Sequence, residues 1–183
     1  DYIGARSTNV QNANIPGFEI SLVGQGNLTE NISFSILAGY TYINPTALDP
    51  DSTYLSTFSN PDTITPKNSI LKYRNKHLAK IDFQVDYKKF SVGMSTRYTS
   101  LMENVDNIFV EPILGIEILP GYGKYRNSRM NGDVIFDARV AYQINKKSKI
   151  SILMNNLLNR EYTNRPGNVM PPRTIIWQYS LRF

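Results

Sequence analysis

Between Pro120 and Gly132 the sequence reads PGYGKYRNSRMNG, which sets Tyr122, Tyr125, Arg126 and Arg129 within a few residues of one another. Guanidinium forks give paired hydrogen bonds to oxyanions, and aromatic faces take up flat or cationic surfaces. Together they suit an anionic or aromatic chelate. The stretch LKYRNK (71–76) has the same character through Tyr73 and Arg74. Solvated loop polarity is the competing account of both stretches.

Bond-making chemistry has less to work with. His77 is the only histidine, and no nucleophile or acid motif accompanies it as a base would require. A metal needs several His, Cys or carboxylate ligands converging, so His77 is expected to be a rim residue at the start of a strand. GYGK (121–124) lacks the spacing and the following Ser or Thr of a phosphate loop and is expected to be a turn. Cysteine is absent, which removes disulfides and thiolate chemistry. The residues imply no catalytic group, no metal and no cofactor.

The elements that must position these residues are strands. Twelve Tyr and eight Phe, with many Asn, Ser and Thr, suit strands and turns better than helices. Seven segments alternate apolar with polar or small residues, beginning with Phe18-Ile20-Leu22 and Ile32-Phe34-Ile36-Ala38-Tyr40-Tyr42. Ala79 to Tyr87, Phe90 to Tyr98, Phe136 to Ile144 and Ile150 to Met154 continue the pattern. TIIWQYSLRF (174–183) closes it. Successive strand side chains point to opposite faces, so each segment has one greasy and one wet face.

Short polar links, NLTEN (27–31), YKKF (87–90) and NKKSK (145–149), read as tight hairpins. The alternate links are long: about 44–76, 103–132 and 157–172. Short turns at one end and long loops at the other is the plan of an outer-membrane β-barrel. No run of about 18 apolar residues is present to make a membrane helix. The mean hydropathy of −0.33 looks soluble, yet a barrel wall needs only alternate residues to be apolar.

A soluble β-sandwich would also alternate. Three features favour the membrane: aromatic residues at the ends of the greasy faces, strands of about ten residues, and charges in mid-strand on the wet faces. The net charge of +5 and pI near 9.3 come without a basic arm or recognition helix, so no nucleic-acid partner is expected.

Particular residues then carry a family resemblance. NVQNANIPGFEISL (9–22), with Asn9, Ala13, Gly17 and Glu19 spaced four, four and two apart, resembles a stretch of TonB-dependent outer-membrane receptors. LAGYTYINP (37–45) resembles the strand that follows it, and NNLLNREYTNRPGNVMPPRTIIWQYSLRF (155–183) resembles the family's ending. Gln11 and Pro172 depart from the usual Gly at each place. The likeness is nearest to receptors of the Bacteroidetes type.

The resemblance implies an all-β fold: a transmembrane antiparallel barrel of about 22 strands around a plug, of which residues 1–183 supply the C-terminal seven. Seven strands fall short of the smallest bacterial barrel, about eight, so the plug, the earlier strands and the TonB-contacting segment are expected outside this chain. It further implies active uptake of a scarce nutrient at the outer membrane of a Gram-negative bacterium, driven through the TonB complex. A ferric siderophore is the leading substrate, with cobalamin, haem or an oligosaccharide open. Loop residues Tyr122, Tyr125, Arg126, Arg129, Tyr73 and Arg74 would face that ligand or, alternatively, outer-membrane lipid and lipopolysaccharide. Arg97 and Arg139 would face the lumen, paired with acids of wall or plug. Trp177, Tyr179, Leu181 and Phe183 would form the signal read by the barrel-assembly machinery. A passive porin, another outer-membrane barrel and a soluble β-sandwich binding module are the rivals.

Overall fold

The computed structural model describes residues 12–48 and 69–183. In chain order the strands are β1 (Ala13–Asn14), β2 (Gly17–Thr29), β3 (Ile32–Ile43), β4 (Thr46–Ala47), β5 (His77–Tyr87) and β6 (Phe90–Thr99). Helix α1 (Tyr122–Ser128) follows, then β7 (Asp133–Gln143), β8 (Ser148–Asn155), β9 (Thr163–Arg165), β10 (Asn168–Val169) and β11 (Thr174–Leu181). They fall into two compact units. One contains the seven long strands, the other the connections around β1, β4 and α1.

The long strands form one seven-stranded sheet, ordered β11-β8-β7-β6-β5-β3-β2. The chain meanders from neighbour to neighbour because two-residue turns, Glu30-Asn31 and Lys88-Lys89, can only reverse a strand beside itself. Antiparallel register carries the alternation coherently across the sheet. One row runs Ile36, Phe83, Met94, Ala138, Met154, Ile175 through successive partners. The next runs Phe34, Val85, Val92, Val140, Ile152, Trp177. A slip of one residue in any strand would throw its apolar set onto the wet face.

Phe83, Val140 and Trp177 lie on that apolar face, and all three are exposed, Trp177 by 71%. They share no dry interior, which a sandwich would require. The outer strands β2 and β11 are hydrogen-bonded on one side only among the described residues. The three longer connections, β3 to β5, β6 to β7 and β8 to β11, leave from the same end of the sheet, since Tyr42 pairs His77, Thr99 pairs Asp133 and Thr174 pairs Asn155.

Within the second unit, β1 pairs β4, and bridges tie Thr46 to Ile70 and Asn75 to Met102. Met102, Val105 and Tyr122 form its core, with Tyr73, Phe109, Val110, Leu119 and Tyr125 packed around them. The sequence predicts a turn at 121–124; the structure instead begins α1 there. Gly121 caps it at φ 80°, a left-handed conformation that suits glycine. Seven residues are too few to be helical alone, and burial of Tyr122 against Met102 and Val105 supplies the missing stability. The 157–172 connection likewise holds a small β9–β10 hairpin around Pro166-Gly167.

Candidate functional site

The wet face of the sheet carries a charge ladder. Asp82 on β5 and Arg139 on β7 reach across β6: Nη1 and Nη2 of Arg139 each donate to Asp82 at 2.7 Å, while Nε donates to Gln84 at 3.1 Å. Ser95 donates to the same carboxylate. Gly93 on β6 leaves the space, since any Cβ there would meet the Arg139 guanidinium. Toward the long connections, Arg97 pairs with Asp137 at 3.1 Å, and the Asn156 backbone N–H donates to Asp137 at 2.8 Å. Arg160 pairs with Asp133 at 2.9 Å. Both sequence-predicted luminal arginines therefore pair with acids of the wall itself. A cleft of about 470 Å³ opens here, lined by Lys80, Arg97, Asp137, Asn156, Tyr162 and Thr174 among others.

At the long-connection end of the apolar face, Phe18, Tyr40, Tyr42 and His77 cluster, with ring centroids 5.1–6.2 Å apart. Tyr40 Oη and His77 Nδ1 are 2.8 Å apart. His77 is thus part of an aromatic girdle, with the polar edges of Tyr and His suited to a membrane–water boundary. No group of three metal-capable side chains converges among the described residues.

The second unit holds the residues the sequence singles out for ligand contact. Tyr122, Tyr125, Arg126 and Arg129 come together on and beside α1, and the Tyr122 and Tyr125 rings stack at 6.0 Å. Tyr122 is buried in the core, so its ring faces protein. Burial raises its hydroxyl pKa, partly offset by the nearby Arg126 cation. Arg126 Nη2 donates to the Glu103 carbonyl at 2.8 Å, while its Nη1 is buried with no hydrogen-bond acceptor. Arg129 is half-buried, and Arg74 is exposed.

Tyr73 joins the same core, and its hydroxyl donates to Asp106. Burial first, then that hydrogen bond to an anion, raises its pKa above the ordinary tyrosine value. Lys72 pairs with the other oxygen of Asp106. Asn104 completes the link, its side chain donating to the Ile70 carbonyl and its own carbonyl accepting from Tyr73 N–H. The pattern of the sequence does not single out Asp106, Lys72 or Asn104. The only local hint is a polar triplet, Glu103-Asn104 with Asp106, inside a long connection.

An antiparallel sheet with a continuous apolar face, an ion-paired opposite face and an aromatic girdle is the wall of a transmembrane β-barrel. The profile of the family described as TonB dependent receptor-like, beta-barrel, matches residues 1–157, and the chain belongs to that family. No curated protein matches the chain. Among solved structures, it resembles the ferric-catecholate import receptor Fiu from K12 E. coli in its closed form. Identity there is 20% and the TM-score 0.62, over 93% of this chain and 21% of that one. The open form of Fiu gives 18% and 0.56, over 93% and 21%. The siderophore receptor PiuA from Acinetobacter baumannii gives 17% and 0.59, over 92% and 22%. The likeness is one of fold, and this chain spans about a fifth of the length of those receptors.

Proposed function

We propose that this chain is wall of an outer-membrane receptor that takes up a scarce nutrient through TonB, with a ferric siderophore as the first substrate to test. Membership of the family supports the receptor class, and the names of the fold neighbours, a siderophore receptor and a ferric-catecholate importer, support the substrate. The observation that carries the reading is the register-matched apolar face, exposed from β5 to β11, behind an ion-paired face. Such a surface is unfavourable in water and favourable against hydrocarbon.

Several partners follow. Strands pairing with β2 and β11 must complete the wall, because an unpaired edge in lipid costs several kcal/mol per backbone group. A plug fills the lumen against the Asp82–Arg139 ladder, and the TonB complex acts through a region outside this chain. The long connections face outward, toward ligand and lipopolysaccharide. There Tyr125, Arg126, Arg129 and Arg74 supply the contacts, while Tyr73 and Tyr122 hold the scaffold. The exposed Trp177, Tyr179, Leu181 and Phe183 serve as the barrel-assembly signal. The protein performs no bond chemistry.

The test is growth and radioiron uptake by a Gram-negative host deleted for the intact gene, supplied with single ferric siderophores. Uptake should vanish with the deletion and with loss of TonB. Uptake that persists without TonB would make the wall a passive porin's, and normal uptake in the deletion strain would remove iron from the account.

A further inference from the structure

The short-turn end of the sheet carries charge that receptor function, as described, does not use. Lys88 and Lys89 form one turn, Lys146 and Lys147 the next, and Arg182 lies at the end of β11; all five are exposed. Backbone hydrogen bonds hold these positions side by side: Lys88 N–H to Asn31 O, Gln143 N–H to Lys89 O and Arg182 N–H to Lys147 O, at 2.8–3.1 Å. Those two turns contain no acid, and the neighbouring β2–β3 turn contributes one, Glu30. The cations therefore form a contiguous rim with net positive charge.

Directly inside the rim, on the apolar face, one register row reads Tyr87, Phe90, Tyr142, Ile150, Tyr179. The Phe90 and Tyr142 rings pack at a tilt with centroids 4.7 Å apart, and Lys88 Nζ lies 5.4 Å from the Tyr87 ring centroid. Rings with polar edges settle at the headgroup level, and cations just beyond them reach the phosphate plane. Electrostatics there favour acidic lipid over zwitterionic lipid.

We propose that this rim is a docking surface for acidic phospholipid headgroups in the leaflet that the short turns face. The inference rests on the transmembrane reading of the wall. It names a lipid class and the residues that select it.

The intact protein is reconstituted into vesicles of phosphatidylcholine mixed with phosphatidylglycerol, and the lipids that copurify after gentle solubilisation are quantified. Wild type should retain phosphatidylglycerol in excess of its share. Replacing Lys88, Lys89, Lys146 and Lys147 together by Glu should cut that enrichment by about tenfold or more, and replacing them by Arg should preserve it. High salt should erase it in wild type, a measurement that stands even if the Glu variant fails to insert. Equal retention of both lipids by inserted wild type overturns the proposal and leaves the barrel intact. A rim that recognises an acidic soluble protein would give that same equal retention. Wild type that stays out of the vesicles altogether overturns the transmembrane reading instead.

Discussion

Gly93 and Arg139 are partners across the β6–β7 ladder, and a Cβ on Gly93 would lie 2.5 Å from Arg139 Nε. The obstacle is the far end of a flexible side chain, so Gly93→Ala displaces the guanidinium and leaves the backbone in place. Arg139 then loses its two-pronged hold on Asp82. The expected cost is about 1 kcal/mol in a partly solvated pair. The cost should disappear when Arg139 is already Ala, because a double-mutant cycle isolates the shared term. Equal destabilisation of G93A with and without R139 would mean the glycine serves the strand backbone instead.

The faces of the wall predict a sharp asymmetry between adjacent positions in register. Val140 sits mid-row between Val92 and Ile152, facing outward, while its neighbour Ala141 pairs Ser151 on the wet face. Ala138→Arg, one row further along on the same face and at the middle of β7, should reduce the folding stability of the bilayer-inserted protein by about 2–4 kcal/mol, as for a cation near the midplane. Ser151→Arg, beside Lys149 and Gln178 in the wet cleft, should stay within about 0.5 kcal/mol. Denaturant titration of refolded protein in lipid reads both, and similar costs on the two faces would contradict the wall.

Why these faces were legible in the sequence is a matter of period. Strand side chains alternate strictly, so Phe83, Val85 and Tyr87 against Asp82, Gln84 and Asp86 declare their sides without any knowledge of the neighbours. Short turns then leave no choice of partner. The connections obey no such rule. Tyr122 in a run of Tyr and Arg reads as a ligand contact, yet its ring packs on Met102 and Val105, which lie about twenty positions earlier in the chain. Helix α1 exists because of that packing, and local propensity does not announce it. Asp106 clamps Lys72 and Tyr73 across more than thirty residues, and such a long-range pairing leaves no period to detect.

That clamp yields its own prediction. The Lys72 side chain is 8% exposed, so losing the Asp106 carboxylate removes the counter-charge from a nearly buried ammonium. Asp106→Ala should lower the local stability of the 101–130 connection by about 2 kcal/mol, with the long strands unaffected. Amide exchange resolved by segment would show faster opening there alone. Uniform loss of protection in β5 to β8 would contradict a local role.

The same clamp has a pH signature whose sign is fixed. The folded Tyr73 hydroxyl is held above the ordinary tyrosine value by burial and by its hydrogen bond to Asp106. Its contribution to stability is therefore complete below pH about 10, where the unfolded tyrosine ionises, and declines as pH rises beyond it. Tyr122, also raised by burial, adds in the same direction. Protection of the 101–130 connection should fall as pH rises above about 10, and fall less steeply in Tyr73→Phe. Parallel slopes for wild type and Y73F would assign the alkaline loss to another group.

The arginines of α1 carry the ligand prediction. Arg126 has one nitrogen committed to the Glu103 carbonyl and another buried without an acceptor, so an oxyanion that displaces the side chains covering it would satisfy a donor that already bears the cost of burial. Arg126→Lys keeps the charge and loses the planar fork, and a charge-assisted pair of hydrogen bonds lost this way weakens binding by roughly ten- to a hundredfold. Arg129→Gln should act in the same direction through charge. Binding of ferric siderophores to the intact protein gives Kd, and exchange protection of α1 reports whether the helix survived. Weakened binding with α1 intact supports direct contact. Unchanged Kd in both variants with an intact helix would remove these arginines from ligand recognition and leave them as solvated surface of the loop.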